Sequence, residues 1–458
     1  MNKQSQMKSV LSILTFVLFS GMVTAQQSTR VERILVGNEG GFGASNATIS
    51  VINPETDKSS DGVFLSANGL GLGDVLQSMN RVNNQIYAVM NNSSSIVIMN
   101  AESYLQEGLI DLGAGASPRR MVMIDEATAY VSDLYANALH VIDLGTGQAR
   151  DSKIMVGNGP EYLLKVGQEV LVSNFGFGQD STVMVINSVT HQVTDTLVLA
   201  SGPAEMILDT DGSVWVICTG YAGDYDENWN LIQGTQRPGG IFRLNKQDES
   251  EDWLVEKHHE LETASTQLGY SSIRKELYLQ SNGVRSFDLR DLTLKEEAML
   301  EGSFYSMYYE PVLDYLFLAD AKDYVSAGMV STWSLDEQKV MQEYTVGIIP
   351  SSFLALYEES ATESYEEKTW PREFVLGQNY PNPFNPSPRI PIELFTSGHL
   401  RVNIINSLGQ KVSSLTDQSY PAGRHLIEFH ARNLPSGVYF VQAFFNEQQH
   451  FSKIILLK

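Results

Sequence analysis

The sequence predicts an all-β chain, a seven-bladed β-propeller followed by a small immunoglobulin-like β-sandwich. Three observations carry that prediction. A short apolar strand ending in Asn, Asp or Ser and then a polar turn recurs seven times, mostly at about 43–47-residue spacing with one gap near 58. A second apolar strand precedes each copy, and the spacers are rich in Gly, Asn and Asp, the residues of hairpin turns. After residue 373 the chain changes character, with closely spaced prolines followed by alternating strands.

At 458 residues, 43% hydrophobic and 19% charged, the composition is globular and long enough for two or three folded units. The formal net charge of −23 opposes phosphate backbones and anionic lipid, so no nucleic-acid partner is expected. Residues 1–25 have the anatomy of a secretory signal peptide: Lys3 and Lys8, an uncharged apolar run from Val10 to Val23, and small residues before a cut after Ala25. No later stretch is long and apolar enough to span a membrane, so no transmembrane segment is expected in the mature chain. No cysteine follows the cut to take a lipid. The one cysteine, Cys218, lies in the apolar run Val214–Ile217 and reads as a small buried residue.

The recurring strand appears as ISVIN at Asn53, IVIMN at Asn100, LHVID at Asp143, VMVIN at Asn187, IFRLN at Asn245, RSFD at Asp288 and STWS at Ser334. Four short strands per unit of this size make a propeller blade, buried on both faces by its neighbours, which explains near-continuous apolar strands such as Val183 to Ile186. An open solenoid of hairpins is the alternative. The chain enters at what reads as a second strand, RILVGN, and SSFLALY at Ser351 to Tyr357 reads as a spare first strand. The expectation is that the latter completes the first blade and closes residues 31–357 into a ring.

Strand alternation then places two sets of loops on one face: those leading into each blade, and those between its second and third strands. The first set is expected to carry Arg119, Arg120, Glu161, Tyr162 and Glu205. The second carries Phe42, Tyr135, Phe175, Phe177, Tyr221, Tyr225, Trp229 and Tyr324. Aromatics flanked by Gly and carboxylates on one rim suit ligand binding. The candidate ligand-binding set is Phe42, Arg119, Tyr135, Glu161, Phe175, Phe177, Tyr221, Tyr225 and Trp229.

NEGGFG at Asn38–Gly43, LGDVLQSM at Leu72–Met79, MNNSSSIVIMN at Met90–Asn100, SPRRM at Ser117–Met121 and GPEYL at Gly159–Leu163 resemble the YncE-like surface propellers of Bacteroidetes, which include the cobalamin-capturing BtuG-type proteins. The resemblance covers most of residues 31–357. It implies a seven-bladed surface propeller that captures a ligand, such as a corrinoid, sometimes beside a TonB-dependent transporter. The missing lipoprotein cysteine departs from that pattern.

Residues 358–373 read as an acidic linker, with Glu358, Glu359, Glu363, Glu366 and Glu367. From 374 to 458, QNYPNPFNPSPRIPIELF, the GQKV turn, the AGRH hairpin, SGVYFV and the final Lys458 resemble the type A sorting domain of the type IX secretion system. Pro388 stands where that family usually has Thr. The resemblance implies the type IX machinery as a partner and a destination at the cell surface or outside the cell.

Catalytic motifs are missing: there is no nucleotide-binding glycine loop, zinc-protease helix or serine elbow. Asp224, Asp226 and Asn228 imitate the start of a calcium loop, but Trp229 replaces the required Gly and Thr235 the bidentate Glu. They are candidates only for a looser calcium site. His258 and His259 are adjacent on a strand and point to opposite faces. The expectation is a binding protein without catalysis or cofactor. The alternatives are a protein or glycan interaction platform, and a metal-assisted lactonase-type or lyase-type enzyme using Glu161, Glu205, Asp133 and Asp320.

Overall fold

The computed structural model describes residues 30–246, 252–358, 374–376, 384, 386–394, 397–406, 411–431, 434–445 and 448–457. The signal peptide at 1–25, the linker beyond Glu358 and the turn at 407–410 lie outside the described residues. Two compact units divide at residues 360 and 361.

The first unit is nearly all β. Its described residues form seven antiparallel sheets, most of four strands. The first sheet runs in the order Pro350–Tyr357, Val31–Asn38, Thr48–Asn53, Lys58–Ser60, so the C-terminal strand of the unit pairs with its N-terminal one. The innermost strands of the seven sheets touch in succession. Leu76–Val82 meets Pro350–Tyr357 and Pro118–Met123. Pro160–Val166 meets Pro118–Met123 and Pro203–Leu208. Leu268–Ser271 meets Pro203–Leu208 and Ser306–Glu310, which returns to Pro350–Tyr357. That cycle is closed, which makes the unit a propeller-like ring and removes the open hairpin row.

Burial follows position in each sheet. Second strands are enclosed on both faces, and every residue of Thr128–Asp133 and of Val214–Cys218 is buried. Outer strands face solvent; Gln192–Val198 buries only Leu197. The recurring Asn or Asp closes a turn with its own side chain. Asn53 Oδ1 accepts the Glu55 and Thr56 amides at 3.0 and 2.9 Å. Asn100 and Asn187 do the same for their following residues, and Asp143 takes the Thr146 amide at 2.9 Å. Cys218 is fully buried and its thiol is pushed up to about 12 by that burial. Two short elements depart from the all-β reading: a 3-10 turn at Gly176–Gly178, and a helix, Val63–Asn68, which is bracketed by the left-handed Gly62 and Gly69 and buries Phe64.

The second unit has two sheets, one of Phe374–Leu376, Arg389–Leu394 and Gly423–Glu428, the other of Lys411–Tyr420, Gly398–Asn406, Gly437–Phe445 and Gln448–Leu456. They enclose one core containing Ile390, Ile392, Val402, Ile404, Val441 and Phe445, which makes the unit a small sandwich.

Candidate functional site

Five of the seven innermost strands begin with the same irregularity. Register slips between Leu76 and Ser78, between Pro118 and Met121, between Pro160 and Leu163, between Pro203 and Met206, and beside Pro350. A bulge places consecutive side chains where alternation would have separated them. All five lie at the end of the ring where the loops into each sheet meet the loops between second and third strands, so each adds polar side chains around one mouth.

Arg119, Arg120, Glu161, Tyr162 and Glu205 are therefore strand residues rather than loop residues, because the inner strands start earlier than the sequence suggests. Arg119 Nε donates to Glu161 Oε2 at 2.6 Å and its Nη1 to Gln77 Oε1 at 2.5 Å, which ties three neighbouring inner strands together. Ser78 donates to the Arg119 carbonyl at 2.8 Å, and Ser132 to that of Glu161 at 2.9 Å. Arg120 lies over the Tyr162 ring at 4.5 Å and donates to its hydroxyl at 3.1 Å. Burial pushes the Tyr162 hydroxyl up to about 12. Glu205 accepts the Leu268 amide at 2.8 Å, and burial pushes its carboxyl up to about 7 despite the opposing charge of Arg120.

Glu39 and Tyr305 complete the belt from the other side. The Tyr305 hydroxyl donates to both Glu39 carboxylate oxygens at 3.2 Å. Burial raises Glu39 above the usual carboxylate range, while Tyr305 and the Arg119 charge pull the other way. Sequence reasoning missed Glu39, Gln77 and Tyr305. For Gln77 and Tyr305 the signal was a polar residue next to the first residue of an inner strand, which alternation makes look like a surface position, whereas Glu39 lies in the loop after Val31–Asn38.

The aromatic candidates divide by burial. Phe42, Tyr135, Phe177, Tyr225 and Trp229 stand out in solvent, with Trp229 84% and Phe42 80% exposed. Phe175 and Phe177 lie 5.9 Å apart, and Arg237 covers Tyr221 at 4.8 Å. Tyr305 meets the edge of Tyr324 at 5.8 Å. Among the described residues Phe42, Tyr135, Tyr225 and Trp229 make no ring contact with one another.

The acidic candidates are engaged in turns. Asp226 accepts the Asn228 and Asn230 amides at 2.9 and 2.8 Å, and Asp224 takes the Tyr221 hydroxyl. Asp133, opposite Pro118 in register, is buried beside His140 at 2.9 Å and Lys153 at 3.3 Å. Burial opposes its ionisation, but the bonds from His140 and two backbone amides hold it down at about 2. Asp320 closes a turn on the Lys322 amide. Among the described residues no group of three or more His, Cys, Asp or Glu could hold a metal. His258 packs its ring 5.2 Å from Trp215.

The molecule is thus a propeller-like body with a polar, aromatic-rimmed mouth, carried by a chain with a separate sandwich at its end. The tail defines its route. A family model described as a secretion system C-terminal sorting domain matches residues 378–457, and the chain is exported by type IX secretion to the cell surface or beyond it. A second family model, described as a domain of unknown function (DUF5074), matches residues 33–221. Comparison with curated proteins finds no match.

Several solved structures are similar. The extracellular domain of BT4673 from B. thetaiotaomicron, titled a putative one component system, has 13% identity and a TM-score of 0.47, over 93% of this chain and 56% of that one. Apo AztD from Citrobacter koseri has 11% identity and a TM-score of 0.43, over 72% and 98%. The β-propeller domain of Cps50 (Swd1) from Myceliophteria thermophila has 11% identity and a TM-score of 0.44, over 69% and 96%. No ligand or activity passes from these proteins to this chain.

Proposed function

We propose that the body is a seven-bladed propeller of the YncE-like surface type that captures a small ligand at its mouth, and that the tail is an immunoglobulin-like tag read by the type IX machinery. The observation that carries the reading is the belt of Gln77, Arg119, Arg120, Glu161, Glu205 and Glu39 set beneath exposed Phe42, Tyr135, Phe177 and Trp229. Apolar walls with a few convergent polar groups are the usual make-up of a ligand site. Binding proceeds without catalysis or cofactor, and Asp224, Asp226 and Asn228 shape their loop rather than hold calcium. The NEGGFG and LGDVLQSM resemblance makes a corrinoid the first ligand to test, with a TonB-dependent transporter as its recipient.

The protrusion of Trp229 and Phe42 favours a second reading, a protein or glycan platform. Titration of the mature full-length chain with cyanocobalamin, followed by intrinsic fluorescence, tests the first. A saturable change that weakens about tenfold in Trp229→Ala and in Arg119→Met supports capture at the mouth. No change at micromolar ligand removes the corrinoid. Binding untouched by either variant removes the mouth as its site.

A further inference from the structure

We propose that Arg120 forms an anion subsite in the mouth that takes the carboxylate of a small organic acid; this rests on the mouth being the ligand-binding face. The bulge after Pro118 turns two consecutive arginines inward, and only Arg119 forms a close ion pair, while Arg120 feels Glu205 and Glu161 from farther off. Arg119 is paired with Glu161 and Gln77. Arg120 has no carboxylate within 4.0 Å among the described residues. Its face rests on Tyr162, one N–H meets the Tyr162 hydroxyl, and its Nε is shut off from solvent with no acceptor. A guanidinium cannot escape burial by losing its proton, and its Nη1, which donates to no described residue and is not enclosed as Nε is, is left for an incoming acceptor. The residue as a whole is half-buried.

The surroundings choose the acceptor. A carboxylate is planar, singly charged and matched to the guanidinium fork. A dianionic phosphate would meet Glu161 and Glu205, both of which act electrostatically on Arg120. The groups facing Glu205 are Arg120 from Pro118–Met123, Tyr162 from Pro160–Val166 and the Leu268 amide from Leu268–Ser271. Near neutrality much of Glu205 is protonated. It can then donate to a bound carboxylate, while its ionised form repels one. Binding therefore takes up a proton, and affinity falls as pH rises above neutrality. A corrinoid fringed with neutral amides gains nothing from this subsite.

Isothermal calorimetry on the mature full-length chain with hippurate, its neutral amide hippuramide, and inorganic phosphate tests the proposal. Hippurate is expected to bind about tenfold or more tighter than either comparator, and tighter at about pH 6 than at about pH 8. Arg120→Gln should lose that preference, and Glu205→Gln, whose amide does not titrate, should flatten the pH dependence of hippurate binding. If Arg120→Gln misfolds, Arg120→Lys, which keeps the charge without the fork, should still weaken hippurate about tenfold. Equal binding of hippurate and hippuramide overturns the carboxylate subsite while leaving the mouth intact, as does hippurate binding unchanged in both Arg120 variants. Phosphate binding as tight as hippurate overturns the choice of anion. Failure of all three probes to bind overturns the subsite, and the rim variants with cobalamin then judge the mouth separately.

Discussion

Replacing Glu161 with Gln strikes the tie between three inner strands, and the structure sets how much that should cost. Glu161 is 5% exposed and its partner Arg119 23%. Two unit charges about 4 Å apart at an effective dielectric near 20 attract by about 4 kcal/mol, and the partial opening of Arg119 to the channel halves that to about 2. Arg119→Met leaves a buried carboxylate unpaired and should cost about 3 kcal/mol; Glu161→Gln leaves Arg119 its bond to Gln77 and should cost about 2. The double variant removes both charges, so its loss should be about 3 kcal/mol rather than the sum of about 5. Urea denaturation of the full chain and its three variants at neutral pH measures this coupling. Losses that add to within about 0.5 kcal/mol would refute the pairing as a strand-to-strand tie.

Other outcomes follow from single sites. Gly220 has φ +80, and a Cβ there would meet three backbone atoms, Arg237 O, Glu262 O and Gly239 N, each at 2.9 Å; Gly220→Ala should cost about 2–4 kcal/mol, read by thermal melting. Phe353, on the closing strand, stacks on Tyr308 with rings 5.7 Å apart, and Phe353→Ala should lose about 2–3 kcal/mol in the same assay. Trp229→Ala and Phe42→Ala, at solvent-exposed positions, should leave the melting temperature unchanged even where they weaken binding. The Glu205 carboxyl titrates at about 7 in the folded chain against 4.5 as the reference. The folded state thus binds the proton more tightly, so this group favours stability below about pH 4.5 and loses that contribution as pH rises through about 7, up to roughly 3 kcal/mol. Glu205→Gln should flatten that decline in melting temperature between pH 5 and pH 8.

Much of the fold was legible because one local rule repeats. Each apolar strand ends in a residue whose side chain can close a turn, and Asn53, Asn100, Asp143 and Asn187 all do so. The spare strand at the C-terminal end of the body could be matched to a missing partner at the N-terminal end, and Val31–Asn38 is where it pairs. The helix Val63–Asn68 was hidden because six residues are too few to show a helical period.

The site was legible only at its rim. Loop lengths and Gly-flanked aromatics announce Phe42, Phe177 and Trp229, whereas the belt depends on bulges that break the period of two. Reading Arg119 and Arg120 by alternation sends them to opposite faces; the slip after Pro118 sends both inward. Glu39 enters the same space from a loop distant in sequence, against Tyr305, and no spacing rule links them. The Asp224 and Asp226 pair reads two ways from sequence, since the spacing of a metal loop is also that of a tight turn, and Asp226 does bond the amides of such a turn.

A closed ring is what gathers these groups around one opening, and hydrogen–deuterium exchange of the closing strand Pro350–Tyr357 tests it most directly. Paired with Val31–Asn38 and packed against neighbouring inner strands, its amides should exchange as slowly as those of Val31–Asn38 and open together with them. Rapid exchange of Pro350–Tyr357 while the other inner strands stay protected would mean an open ring, and with it no mouth.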